Sequence, residues 1–165
     1  MTFYRRLSRK VPAVLLLAAL TLTVPNAEAA EKRIVGATEV VTMEEAGLSF
    51  LGRMDTGAAT TSIHAVDIEI EGASTGKDFV GKRVAFTVMN ARGEACRLTA
   101  RVEKVEAVRT SEGREERLYV YLTLGRQEVE KRVLVNLNDR RAMKFRLLLG
   151  RNWLENDFLV DVARR

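Results

Sequence analysis

The sequence predicts an all-β fold, a barrel or sandwich closed on itself, with one short helix near the C-terminus. Short runs rich in valine, isoleucine, leucine and aromatic residues recur along the chain, and several alternate strictly with polar residues. Turn signals built on glycine, asparagine and serine separate these runs about every eight to twelve residues. Both prolines, Pro12 and Pro25, come before residue 30, so no proline interrupts a later run. The pattern gives about nine or ten strands, which suits a closed or stacked β domain.

In chain order, Arg33 to Thr42 reads as a strand on the strength of Ile34, Val35, Val40 and Val41. Residues 43–47 turn it, and Leu48 to Met54 forms a second strand that delivers Asp55. Residues 59–65 are small and polar as far as Ile63. Val66 to Ile70 alternates, with Val66, Ile68 and Ile70 on one face and Asp67 and Glu69 on the other. Residues 71–82, with three glycines, form a loop. Arg83 to Met89 alternates again, and Asn90-Ala91-Arg92-Gly93 is a hairpin signal. Ala95 to Val108 is one long strand or two, followed by a turn at residues 110–113.

Glu115 to Leu124 places Leu118, Val120, Leu122 and Leu124 on one face, with Tyr119 and Tyr121 covering the solvent face. Gly125-Arg126 turns the chain into Val129 to Leu137, and residues 138–141 form a loop. Phe145 to Leu149 is apolar except for Arg146 and reads as a buried strand ended by Gly150. Arg151 to Asn156 reads as a short helix with Trp153 and Leu154 inward, before a last strand, Phe158 to Val162.

Residues 1–29 stand apart as a signal peptide. Arg5, Arg6, Arg9 and Lys10 precede an apolar run of about fourteen residues, Val11 to Val24, short for a membrane span. Ala27-Glu28-Ala29 offers a small-x-small cleavage site, with cleavage expected after Ala29. The implied location is periplasmic or secreted; the alternative is an uncleaved inner-membrane anchor facing the periplasm. Residues 30–165 form the domain. The chain is formally +5, residues 1–29 contribute +4 − 1 = +3, and 5 − 3 = +2 remains. Mixed charges of that size do not indicate nucleic acid.

A single cysteine, Cys96, excludes an internal disulfide, so the domain relies on its core. Cys96 falls in an alternating segment and reads as a small buried residue. The one histidine, His64, sits near the Asp55 turn and reads as an orienting residue. With one His and one Cys, at no zinc spacing, and no phosphate-binding glycine loop, no metal or nucleotide cofactor is expected.

The chemistry points to Leu51-Gly52-Arg53-Met54-Asp55-Thr56-Gly57-Ala58. A strand ends there on an acid, Thr56 adds a short hydroxyl, and Gly57 supplies backbone freedom. Such a turn can hold a carboxylate at the mouth of a β structure, where it could activate water.

Asp55-Thr56-Gly57-Ala58 taken with Leu147-Leu148-Leu149-Gly150-Arg151-Asn152-Trp153-Leu154 resembles the retropepsin-type aspartic peptidases. Those enzymes carry an Asp-Thr-Gly-Ala turn, then two apolar residues and Gly-Arg-Asn heading a short helix. The wider set, with Ser62-Ile63-His64-Ala65, Asn138-Asp139-Arg140 and Met143, is similar to a bacterial family of retropepsin-like, RimB-type proteins, also labelled ATP-dependent zinc proteases. The resemblance spans residues 33–162. The residues here favour aspartic chemistry over zinc or ATP.

The resemblance implies a closed acid-protease barrel and hydrolysis of peptide or amide bonds in a peptide or protein substrate. Aspartic catalysis needs two carboxylates close enough to share a proton, because like charges about 3 Å apart cannot both ionise. One such turn per chain implies a homodimer with Asp55 of each subunit at the two-fold axis. Thr56, Gly57 and Ala58 then support the catalytic turn, with Thr56 bonding across or beneath the axis. Leu149, Gly150 and Arg151 are structural neighbours, and Asp161 or Asp139 is the expected partner of Arg151. Asp139 as the second acid of a monomeric site stays open. The hairpin from Val84 to Val102 is a flap over the site or an ordinary hairpin. The spacing between the two motifs is longer than in the viral enzymes, which implies inserted strands. The alternatives are a non-catalytic barrel that binds a peptide or envelope partner, and a metallopeptidase.

Overall fold

In the computed structural model, residues 31–72, 79–110 and 113–164 are described. The leader expected at residues 1–29 lies outside them, as do residues 73–78 of the glycine-bearing loop and residues 111–112 of a turn. The strands are β1 (Arg33–Val35), β2 (Thr38–Met43), β3 (Leu48–Met54), β4 (Thr61–Ile70), β5 (Arg83–Met89), β6 (Ala95–Arg101), β7 (Lys104–Thr110), β8 (Gly113–Arg126), β9 (Val129–Asn138), β10 (Leu147–Leu149) and β11 (Phe158–Val160), with one helix, α1 (Arg151–Leu154), between the last two.

Six strands close into a barrel in the order β10-β3-β2-β8-β9-β4, and β4 returns to β10. Closure leaves no edge within the ring, and the all-β expectation holds. The β5–β6 hairpin extends the sheet from β4, and β7 pairs with β8. Alternation put the right residues inside on β5 and β8: Val84, Phe86, Val88, Val120, Leu122 and Leu124 are all at most 2% exposed, and Met43, read as part of a turn, ends β2 and is buried too. The core is made entirely without cross-links; Cys96 is half-buried on β6, opposite Val88, and packs against the core margin.

The structure departs from the sequence reading at points with physical causes. Arg33 to Thr42 is two strands, split at Gly36-Ala37. A Cβ at residue 36 would lie 2.6 Å from the Arg164 carbonyl oxygen, so the chain bends where only glycine fits, and β1 leaves to pair in parallel with β11. The segment read as small and polar already belongs to β4 from Thr61, because Thr61 and Ser62 are buried between strands. Further along β4, Asp67 has φ +51° and the register with β5 shifts between Val66 and Glu69. This bulge breaks the predicted alternation and leaves Ile68 exposed. Residues 95–108 are two strands, the helix stops at Leu154, and the last strand stops at Val160.

Tyr119 is buried, unlike Tyr121, which is on the surface as expected. Tyr119 sits where β8 exchanges neighbours, paired with Lys104 of β7 and Asn136 of β9. Its hydroxyl donates to Glu106 Oε2 at 2.7 Å, and burial together with that carboxylate pushes its pKa up to about 12.

A half-hidden ion pair ties the Gly36 bend to the barrel. Arg126 reaches Glu39 Oε2 at 3.0 Å, and Glu39 Oε1 accepts the Gly36 N–H at 2.7 Å. Burial alone would raise the Glu39 pKa, but the Gly36 N–H and Arg126 outweigh it and hold it below the usual carboxylate value of 4.5. A lowered folded-state value means a contribution present above pH 4.5 and lost as the pH falls below it. Glu39→Gln should therefore cost about 1–3 kcal/mol at pH 7. That difference should narrow in thermal melts below about pH 4.

Candidate active site

Asp55 begins the turn between β3 and β4. Its N–H bonds the Leu149 carbonyl at 2.9 Å, which continues the parallel pairing of β3 with β10 by one residue. Its carboxylate folds back on its own turn: Oδ1 accepts the Gly57 N–H at 3.0 Å and the Ala58 N–H at 3.2 Å. The acid is thereby fixed in one pose. Gly57 is needed for space more than for conformational freedom. It is absent from the positive-φ residues, and a Cβ there would lie 3.2 Å from Asp55 Oδ1. Asp55 is half-buried, and Thr56 and Gly57 are exposed beside it.

The second motif clamps this turn. Arg151 N–H bonds Ala58 O at 2.8 Å, and Asn152 N–H bonds Ala59 O at 3.2 Å. Asn152 Oδ1 accepts both the N–H and the hydroxyl of Thr61, while its Nδ2 donates to Leu134 O at 2.7 Å. Gly150 is obligatory, because a Cβ would meet the Thr60 backbone at 2.6 Å. Trp153 roots the helix, stacking on Phe158 at 4.4 Å and donating to Leu124 O. The expected carboxylate partner of Arg151 is corrected: its guanidinium donates to the carbonyls of Thr56 and Gly57, at 3.1 and 3.0 Å. Asp161 instead caps Ala163, and Asp139 pairs with Arg141 and lies 3.5 Å from His64.

Beside the turn, the sheet presents a polar row. Tyr119 pairs with Asn136, Asn136 with Ser62, and Ser62 with Leu148, so these residues share one face. Two residues along each strand lie Arg117, Asn138, His64 and Arg146, on that same face by the period of two, while Leu118, Leu137, Ile63 and Leu147 fill the core behind. Arg140, only 8% exposed, is anchored here: Nε donates to Phe145 O at 3.1 Å and its guanidinium approaches Ser62 Oγ at 3.5 Å. Burial and the Arg117 charge lower the Arg140 pKa, while the Asp55 charge raises it. Arg117 Nε, Arg146 Nη1 and Asn136 Oδ1 are buried with no hydrogen-bond partner among the described residues.

Of the two readings of the hairpin between Val84 and Val102, a flap or an ordinary hairpin, the contacts of its tip favour the ordinary hairpin. Its tip residue Asn90 is buried and donates to Ser49 O at 3.0 Å. Ser49 is six residues from Asp55 along the extended strand β3, about 20 Å away. The hairpin therefore braces the remote end of β3.

Sequence reasoning found the turn and the Gly-Arg-Asn clamp, and missed the basic character of the adjoining face. Arg146 was the available signal, a lone charge inside an otherwise apolar buried run. Among the described residues, no group of three or more His, Cys, Asp and Glu side chains is placed to hold a metal, and no helix is long and apolar enough to cross a membrane.

A closed barrel with an Asp-Thr-Gly turn clamped by a Gly-Arg-Asn helix head defines a retropepsin-like domain. The chain belongs to the RimB-like family, described as retropepsin-like aspartic endopeptidase RimB, whose model matches residues 34–165. A protein of unknown function from Legionella pneumophila has a similar solved structure, with a TM-score of 0.66 and 25% identity, over 81% of this chain and 95% of that one. Proteins named probable alpha-L-glutamate ligase are also similar. One from Shewanella pealeana is 32% identical over 134 residues, and one from Desulfotalea psychrophila 31% over 136. The match covers 79% and 80% of this chain, respectively, but spans only 28% of the length of either ligase.

Replacing Asn152 by alanine removes three hydrogen bonds at once and should lower stability by about 2–4 kcal/mol. Denaturant unfolding measures this, with Glu155→Ala, on the exposed side of the helix end, as a control close to wild type.

Proposed function

We propose that this chain is an exported aspartic peptidase that acts as a homodimer on acidic, glutamyl peptides. The observation that carries the proposal is the Asp55 carboxylate, held by two backbone N–H groups in a turn clamped by Gly150-Arg151-Asn152. A carboxylate so fixed needs only its twin to form a dyad. One member, ionised, would take a proton from water, and the other, protonated, would polarise the scissile carbonyl. The titration would belong to the pair.

Self-association is supported by what adjoins the turn. Thr56 and Arg151 border a hollow shared with Leu159 and Val160. Cross-strand partners Ile34 and Leu159 stand side by side on β1 and β11, 52% and 54% exposed. An apolar pair next to a half-site suits a second copy better than water. Export is supported by the sequence of residues 1–29 alone.

Acidic substrates are supported by Arg140, whose guanidinium feels the Asp55 charge, together with Arg117 and Arg146 on the same face of the sheet. Arg117, Arg140 and Arg146 lie on or against one face, and two of them hold buried nitrogens without acceptors. A substrate carboxylate would reach the partly exposed Arg117 side chain rather than the buried nitrogens, and pair with it through charge-assisted bonds. Glutamate is favoured over aspartate because the ligase relatives are named for that amino acid.

Asp55→Asn should abolish cleavage of a fluorogenic oligoglutamate while the protein stays folded. Undiminished cleavage would remove the aspartic mechanism, and restoration by zinc after chelation would favour a metallopeptidase. Binding without turnover in the wild type would favour the non-catalytic barrel. Sedimentation should show a dimer, with Leu159→Glu monomeric and inactive. Arg117→Gln should raise KM for the oligoglutamate about tenfold, with a smaller change in kcat.

A further inference from the structure

We infer that His64 is a positioning residue that holds Arg140 in place only while its ring is neutral. His64 is 3% exposed on β4, and its Nδ1 accepts the Arg140 backbone N–H at 3.0 Å. A backbone N–H can only donate, so Nδ1 carries a lone pair and the proton of the neutral ring sits on Nε2. The same Nδ1 lies 3.5 Å from Asp139 Oδ1. The atom thus has two available partners, and its protonation state selects between them. Neutral, it binds the Arg140 N–H. Protonated, it becomes a donor, repels that N–H and turns to the Asp139 carboxylate. The Arg141 N–H and guanidinium favour the charged form of Asp139 and hold its pKa below the ordinary value.

Other charges decide which state prevails. Burial is the largest influence on His64 and disfavours the charged ring, and Arg146 and Arg141 do the same. Asp139 and the Asn138 backbone favour it, and the balance lowers the His64 pKa below 6.5. The ring is therefore neutral at neutral pH, and the bond to Arg140 is intact. As the pH falls through the lowered value, that bond is lost. The residue released is the one whose guanidinium bonds Phe145 O, approaches Ser62 Oγ and feels the Asp55 charge. Acid would thus loosen the basic face beside Asp55 without protonating any arginine. The effect on substrate rests on the acidic-peptide function proposed above; the switch itself does not.

The chain has one histidine, so its imidazole signals are unambiguous. In two-bond proton–nitrogen spectra of the ¹⁵N-labelled chain at pH 7.5, Nδ1 should appear unprotonated and Nε2 protonated. On acidification the ring should titrate with a midpoint below 6.5, and the Arg140 amide should shift with the same midpoint. Asp139→Asn should lower that midpoint further. His64→Asn keeps an acceptor near the Nδ1 position and cannot titrate, so its Arg140 amide should stay fixed across the range. An Nδ1-protonated ring at pH 7.5, or an Arg140 amide indifferent to the ring's titration, would overturn the assignment; neither readout needs a substrate. With hexaglutamate as the probe, wild-type affinity relative to His64→Asn should fall about tenfold across the titration. An unchanged ratio accompanied by the predicted spectra would leave the switch standing and remove the acidic-peptide function.

Discussion

The contact on which the site depends is the bonding between the head of a four-residue helix and the turn that carries Asp55. A helix this short has no stability of its own. It exists because Trp153 is buried and because Arg151 and Asn152 use their backbone N–H groups on Ala58 and Ala59. The turn in return has its carbonyls satisfied, including those of Thr56 and Gly57 by the Arg151 guanidinium. Each piece supplies the hydrogen-bond partners that the other lacks, so neither is expected to persist alone. Gly150 sets how near they come, and no larger residue could stand there.

Much of this was legible because β structure writes its inside and outside into alternating positions. Leu118 to Leu124 and Val84 to Val88 declare their buried faces directly. The Asp-Thr-Gly and Gly-Arg-Asn motifs could be matched with each other because each is incomplete alone. The failures come from features that leave no local mark. The break at Gly36 is imposed by Arg164, over a hundred residues away. The bulge at Asp67 places a non-glycine residue at positive φ, which alternation cannot foresee. Arg151 looked like half of an ion pair because a charge invites a search for its opposite; carbonyl oxygens, which every residue has, do not stand out in a sequence.

The basic face shows the same limit from another side. Arg117, Arg140 and Arg146 come from β8, the loop after β9 and the approach to β10, and only barrel closure makes them neighbours. Arg117 and Arg140 each stand beside an acid and are unremarkable in sequence, whereas Arg146 is a lone charge in an apolar run. Together they gather positive charge on one face, and two of their buried nitrogens have no hydrogen-bond acceptor among the described residues. A small overall charge thus conceals a strongly polarised corner.

The parallel pairing of β1 with β11 has a topological corollary. Arg33 N–H bonds Asp157 O, and the Arg164 guanidinium bonds Ile34 O, so the polypeptide enters and leaves the barrel through one doorway. Two ends held that close can be spliced into a loop of a larger protein without pulling the barrel open. In the ligase relative from Shewanella pealeana, the matching stretch makes up 28% of the chain.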